Sequence, residues 1–475
     1  MMHRRLLGAI WLAAFLVSLD YTAVTVALPT MASEFEVGTS AVSWIALSYM
    51  LVMVGLLLPS GPIIDRVGYR RALTCGLALF AGASLASAFS STLWMLVAMR
   101  ALQGIGAAAM FGIGPAIIKT AFPREVQSRA FAIFSTGPTA GLCAGPAIGG
   151  QLTQHFGWHA IFLFSLAAAL VAMALLHSGD GTPGQRRLKG PDPTARVPHV
   201  AVVGGAFFGL LALLLGLNRG QEWGWSSPRT LVLFGGALAL LVFLVARERR
   251  SAAPLVDRAL LVAPGFTMTA AALFPLLVAF GGSVFLVPFW LEWLKKADSD
   301  LVGGLLMIQP VATIAVSGLS GLFLAGPRRR RLCLTGIVLF AAGGAALAVA
   351  GRDDSLALPA AALALMGAGM GLFYPVLLEL GMAGVPDRLA ASASGLQGTG
   401  RTLAQLLGVV LFESLFAELF PLAARADLAT TAQGATLLTM DSAFTTVFWC
   451  GAALAALALL PAALLPDAHR AEEVP

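Results

Sequence analysis

Residues 61–71 read Gly61-Pro62-Ile63-Ile64-Asp65-Arg66-Val67-Gly68-Tyr69-Arg70-Arg71. One acid and three bases share this stretch with two glycines, and the chain on either side (41–60 and 72–89) is apolar. About 20 apolar residues is the length at which a helix crosses hydrocarbon, where every backbone polar group must be bonded inside its own segment. A charged, glycine-bearing break between two such runs therefore reads as a tight surface loop joining two crossings. An acid beside bases at a helix end also suits an electrostatic latch. The plainer role of the same residues is a stop-transfer cluster that sets orientation.

Carried outward, the same ruler finds fourteen apolar runs: 6–28, 41–60, 72–89, 93–118, 129–151, 159–177, 200–217, 230–246, 265–290, 301–324, 332–350, 356–380, 390–416 and 444–466. An even number puts both termini on one side. Of the 30 lysines and arginines, 22 fall on that side and 6 on the other, with Arg100 and Arg401 inside spans. The positive-inside rule makes the basic side cytoplasmic, and a bacterial cytoplasmic (inner) membrane is the expected setting. The first run continues past Asp20 to Pro29, too long for the core of a signal peptide, so it is expected to stay as a helix. Residues 178–199, rich in Gly, Pro and charge, read as a cytoplasmic linker, and 247–263 as a basic stretch with a short helix along the inner surface. The expected plan is a six-helix bundle over 1–177, a middle section over 178–264 with two additional spans, and a second six-helix bundle over 265–475.

Composition agrees. Of the 475 residues 58% are hydrophobic and 11% charged, where soluble domains carry roughly 25% charged residues. Too few polar residues remain to coat a soluble globule, which excludes a soluble enzyme, a disordered scaffold and a nucleic-acid module. Cys75, Cys143, Cys333 and Cys450 lie far apart in apolar runs and the six histidines show no ligand spacing. No disulfide framework, metal or cofactor is expected, and the absence of a P-loop or paired catalytic carboxylates argues against an enzyme.

Further motifs fall in register with residues 61–71. The first span carries Leu19-Asp20-Tyr21-Thr22 and Thr25, the second Trp44 and Tyr49, and the fourth Arg100-Ala101-Leu102-Gln103-Gly104-Ile105-Gly106. The fifth carries Gly141, Gly145-Pro146 and Gly149-Gly150, and the thirteenth Ala393-Ser394-Gly395 and Arg401. Together with Glu222-Trp223-Gly224-Trp225, these resemble the major facilitator superfamily, and within it the fourteen-helix drug–proton antiporter branch. The resemblance runs over the whole chain. It departs at Thr25, where the branch often has Asn, and at His159, where an Arg commonly follows Gly-Trp. A faint second copy of the 61–65 pattern, Gly321-x-x-x-Ala325 followed by Arg328 to Arg331, lacks the acid but fits parallel halves. The resemblance implies an all-α integral membrane protein of two six-helix bundles plus two extra central helices, working by alternating access around a central substrate cavity. It also implies that the glycine face of the fifth helix seals the outer side, and that Gly61, Asp65, Arg66, Gly68, Arg70 and Arg71 gate the inner one.

A mid-helix Asp or Arg costs about 2.5–3.5 kcal/mol even on the lenient insertion scale, so intramembrane charges point to function by default. Asp20 lies eight residues before Leu28, at the outer end of the first span, and Arg100 about seven residues into the fourth. At 1.5 Å per residue both sit roughly 10–12 Å deep. In the fold that the chain resembles these helices adjoin, so the two are expected to meet across water. A fixed ion pair is one role. A proton site at Asp20 is the other, since burial and a neighbouring guanidinium pull carboxyl protonation in opposite directions. Glu379 and Glu413 are candidates for a second proton or for attracting a cation, or they snorkel to the interface, and Arg401 for coupling. Gln309, Tyr374, Gln397 and Gln405 join Trp44, Tyr49 and Gln103 as candidate cavity groups, with ordinary packing as their alternative role.

The expected function is a proton-coupled antiporter that exports small amphiphilic cations, driven by the proton gradient, with membrane lipid around it and no nucleic-acid partner, acting as a monomer. Export of an endogenous metabolite or lipid-like molecule, and nutrient symport on the same fold, remain open alternatives.

Overall fold

The computed structural model describes residues 2–37, 39–42, 44–178, 200–248, 256–297, 299–323, 329–351, 355–420 and 434–465. They form fourteen long helices: α1 Met2–Glu34, α2 Trp44–Val67, α3 Tyr69–Ala88, α4 Leu93–Ala121, α5 Arg124–Phe156, α6 His159–His177, α7 Val200–Trp223, α8 Pro228–Glu248, α9 Pro264–Trp293, α10 Ser299–Phe323, α11 Arg329–Val349, α12 Ala357–Ala383, α13 Ala390–Leu419 and α14 Gly434–Leu457. Each corresponds to one expected crossing, and the described residues contain no strand. Eleven carry a membrane-length apolar window, while α7 and α8 carry the shorter apolar stretches Ala201–Leu217 and Pro228–Leu244. The remaining helix, α5, is 33 residues long, and its Gly, Ser, Thr and Gln content dilutes its hydropathy.

Helix ends are where the sequence reading needs correction. The 61–71 stretch is no loop: α2 runs through Pro59, Pro62 and Asp65 to Val67, and α3 starts at Tyr69. The entire turn is Gly68, with φ 91° and ψ 144°, a conformation that side chains with a Cβ resist. α1 continues six residues beyond Leu28 to Glu34. Its extra turn is tied down by Trp158 Nε1, which donates to Glu34 Oε2 at 2.7 Å beside the start of α6. α14 begins at Gly434, ten residues earlier than expected, and stops at Leu457 before a short helix Leu459–Ala463. The short helix expected near residue 258 is Arg258–Val262, capped by Asp257 Oδ1 accepting from Ala259 N at 2.9 Å. The linker from 179 to 199, the loop from 421 to 433, and Ala325 and Arg328 of the faint repeat lie outside the described residues.

Two compact units emerge. The first comprises residues 1–266 with 382–399, and the second 267–381 with 400–475. In both units glycines let helix backbones approach closely. A Cβ placed on Gly141, Gly145 or Gly149 of α5 would strike α1, one on Gly104 of α4 would lie 2.7 Å from Tyr49 O of α2, and Gly76 and Gly106 bring α3 against α4. The second unit repeats the scheme eight helices later. Gly281 of α9 meets Gln405 O of α13, Gly367 of α12 meets Gln309 O of α10, and Gly336 of α11 meets Gly369 O of α12. The internal repeat is thus written most clearly in helix crossings. Elsewhere the apolar side chains face outward, as on α8, where Val232 is 72% and Val242 60% exposed. Lipid, not water, is the solvent for such a face.

Candidate functional site

Asp20 and Arg100 meet directly inside the first unit. Arg100 Nη1 donates to Asp20 Oδ2, and both side chains are wholly buried. The expectation that they face each other across water is therefore corrected: in this conformation they are in contact and dry. Along their own helices the two residues stand at different distances from the end. Asp20 lies fourteen residues from the end of α1, about 21 Å along its axis, whereas Arg100 is seven residues into α4.

Five helices hold the pair. From α2, Ile45 O accepts from Arg100 Nε at 3.2 Å, and the Tyr49 ring lies 4.2 Å beneath the guanidinium carbon. Tyr49 is itself fixed by donating its hydroxyl to Val17 O of α1 at 3.0 Å. Gln103 Oε1, one turn further along α4, accepts from Arg100 Nη1 at 2.8 Å and passes the connection to α3 through Nε2 to Ser84 Oγ at 2.7 Å. From α6, Ser165 donates its hydroxyl to Asp20 Oδ1 at 2.9 Å. Both carboxylate oxygens thus accept a hydrogen bond, one of them from the guanidinium. Deleting either charge would strand the other in the interior, which typically costs about 3–5 kcal/mol.

The α5 glycines close on the same stretch of α1. A Cβ at Gly141 would lie 2.3 Å from Phe15 O, one at Gly145 1.8 Å from Thr22 Oγ1, and one at Gly149 2.6 Å from Ala23 Cα. Gly150 does not join this seam, since a Cβ there would meet only Val26 Cγ1 at 4.0 Å. Pro146 is exposed on the far side, and α5 is continuous through it.

At the end of the first unit that carries Arg66 and Arg71, Asp65 is buried and faces another helix terminus. Its Oδ2 accepts from Ser392 Oγ at 3.1 Å and from Ser392 N at 3.4 Å, in the first turn of α13, while Oδ1 accepts from Tyr69 OH at 3.2 Å. A carboxylate against the free N–H groups that begin a helix is electrostatically favoured. Gly61 makes the approach fit, because a Cβ there would stand 2.5 Å from Ser392 Cα. Lys119, at the last turn of α4, donates to Met382 O near the end of α12 at 2.6 Å. Arg66 and Arg71 are exposed and Arg70 is half-buried.

The remaining candidates are not members of this network. In the second unit Arg401 donates to the Tyr374 hydroxyl, and Glu379 pairs with Arg329 at 3.1 Å. Gln309 contributes its backbone to the α10–α12 crossing, and its Nε2 has no hydrogen-bond partner among the described residues; Gln405 contributes its backbone to the α9–α13 crossing. Neither amide atom of Gln397, in the first unit, has such a partner either. Glu413 is half-buried on α13. Trp44 lies under Arg219 of α7, 5.7 Å from its guanidinium carbon.

Sequence reading missed Ser84, Ser165, Lys119 and Ser392. A lone serine in an apolar run carries no pattern, and three of the four act through partners more than eighty residues away, as do Ser165 on Asp20, Ser392 on Asp65 and Lys119 on Met382.

The Major Facilitator Superfamily model matches residues 10–409. Among relatives, "Multidrug resistance protein Stp" of Mycobacterium tuberculosis (strain CDC 1551 / Oshkosh) is 27% identical over 407 residues, 86% of this chain and 74% of that protein. "Multidrug efflux pump LfrA" of Mycolicibacterium smegmatis (strain ATCC 700084 / mc(2)155) is 28% identical over 419 residues, 87% of this chain and 81% of that one. Among solved structures, the human organic anion transporter MFSD10 (TETRAN) superposes with a TM-score of 0.66 at 16% identity, covering 98% of this chain and 99% of its own. The chain belongs to the Major Facilitator Superfamily and has its all-α membrane fold. It is a multi-pass membrane transporter of small molecules, not an enzyme.

Proposed function

We propose that this superfamily member is a proton-coupled antiporter that exports small amphiphilic compounds from a bacterial cell across the inner membrane, with both termini in the cytoplasm. The observation that carries the reading is the buried carboxylate of Asp20, held by Arg100 and Ser165 in the midst of five helices. A charge in that position persists only because it is paired, so a proton or a cation arriving at Asp20 changes the energy of the whole network. Two relatives bear names of multidrug resistance and efflux, which supports export as the direction.

In this mechanism the conformation described here is the proton-free state, with Asp20 ionised against Arg100. Opening toward the outside lets Asp20 take a proton, which weakens its hold on Arg100, and opening toward the cytoplasm lets the proton leave. A lipophilic cation suits the exchange, because it competes with the proton for one carboxylate. A ligand shifts a conformational equilibrium only by its differential affinity for the two states, and this competition provides such a difference. Each proton moving down 100 mV supplies about 2.3 kcal/mol. Asp65 on the start of α13 and Lys119 on the end of α12 act as a latch that releases once per cycle. The seam of Gly141, Gly145 and Gly149 keeps α1 and α5 moving together and blocks leak.

A screen in reconstituted vesicles tests the reading. With pH and voltage gradients imposed separately, an acidic interior should drive uptake of amphiphilic cations such as ethidium into inside-out vesicles. Uptake that follows protons in the same direction, or that no proton gradient drives, would refute antiport.

A further inference from the structure

We propose that Ser165 is the positioning residue that lets Asp20 keep a hydrogen bond at Oδ1 in both of its protonation states. The inference rests on the proposed role of Asp20 and deepens it. Asp20 Oδ2 is occupied by Arg100 Nη1, a guanidinium that only donates. Oδ1 is occupied by the Ser165 hydroxyl at 2.9 Å, and Ser165 is fully buried.

Of the two groups that touch the carboxyl oxygens, the guanidinium can only donate, whereas the hydroxyl can reverse its role. While Asp20 is ionised, Ser165 donates to it. Once Asp20 carries a proton on Oδ1, the new O–H donates to Ser165 Oγ after the serine hydroxyl rotates. The heavy atoms need not move. The other members of the network have their directions fixed. Gln103 accepts from Arg100 and donates to Ser84, and Ser84 donates onward to Phe80 O at 2.7 Å. Tyr49 donates to Val17 O.

α4 presents Arg100 and α2 presents Tyr49, whose phenol feels both Asp20 and Arg100. α1 adds Tyr21, which feels Arg100. α5 meets this part of α1 through Gly141 and Gly145, and α6 presents Phe162, 5.9 Å from the guanidinium carbon, besides Ser165 itself. Ser165 is accordingly the hydroxyl in contact with the carboxyl, placed to follow the proton.

The test is infrared titration of the purified transporter without substrate. The protonated-carboxyl band that disappears in Asp20→Asn identifies Asp20. Ser165→Ala should displace the midpoint of that band by about one pH unit, the excess of a hydrogen bond to the charged carboxylate over one from the neutral acid, and change its frequency. Because position 165 is tightly enclosed, Ser165→Thr and Ser165→Val provide the isosteric comparison. Thr should restore the wild-type midpoint, and Val should behave as Ala does. Superimposable titrations of wild type, Ala, Thr and Val, with the Asp20 band present, would overturn the role of Ser165 while leaving Asp20 as the proton site. A spectrum in which Asp20→Asn removes no band would overturn both.

Discussion

A guanidinium with no room to spare makes the identity of Arg100 specific, beyond its charge. Its Nε reaches Ile45 O while Nη1 serves Asp20 and Gln103 together, a division that the single ammonium of lysine cannot reproduce. Arg100→Lys should therefore insert and fold but lose proton-driven transport by tenfold or more, on the order of one strong charged hydrogen bond. Transport by the lysine variant within twofold of wild type would show that charge alone suffices. Stability separates pairing from chemistry. Arg100→Ala and Asp20→Ala should each lower the detergent melting temperature, whereas the double variant should lose clearly less than the sum of the two. Simple additivity in that cycle would mean that the two side chains are not energetically coupled. The sequence already pointed to Asp20 and Arg100, because charges are rare and costly in apolar runs. Ser165 was not legible, since a serine costs little in a membrane helix and gains meaning only from Asp20 lying opposite.

Between helices, glycines set the closest contacts. The α1–α5 seam is so close that even the smallest side chain at Gly145 collides with Thr22 Oγ1 and with Leu19 O. Gly145→Ala should cost about 1–3 kcal/mol of stability, typical of overpacking, and reduce transport while leaving Asp20 in place. Thr22→Ala in the same chain should recover part of both losses, read as melting temperature and as dye efflux; no recovery would place the strain elsewhere. At the other end of α2, Asp65→Asn removes a negative charge from the start of α13 while keeping a similar shape. Transport should fall, and protease access to the α12–α13 connection should rise, if Asp65 latches that turn. Unchanged access would leave Asp65 as a mere topology signal. Much of this level was visible as glycine spacing, yet the partners were not. A run such as Gly141-x-x-x-Gly145 shows that a helix has a smooth face without saying which helix meets it. The boundary error at 61–71 has a related cause. Charged residues look like a loop when counted for hydropathy, but the backbone stays helical up to the one glycine that can turn.

Across the molecule, the count of fourteen long helices was readable because hydrocarbon thickness is a fixed ruler and few other lengths satisfy it. What the ruler could not supply was how far helices run past their apolar stretches, as α1 does to Glu34 and α5 to Phe156, since water tolerates helix and loop alike. The charge asymmetry makes a topological prediction. With Cys75, Cys143, Cys333 and Cys450 replaced, a cysteine at Arg388 should react with impermeant reagents only in inside-out vesicles, and one at Ser226, between α7 and α8, only in intact cells. The reverse pattern would invert the assignment of faces. The measurement that bears most directly on the central claim is proton flux through reconstituted vesicles during ethidium export, in wild type and in Asp20→Asn. The account predicts that wild-type export moves protons in the opposite direction, and that Asp20→Asn, lacking the carboxylate for which ethidium and the proton compete, neither exports ethidium nor moves protons with it. Undiminished proton movement through Asp20→Asn would contradict it.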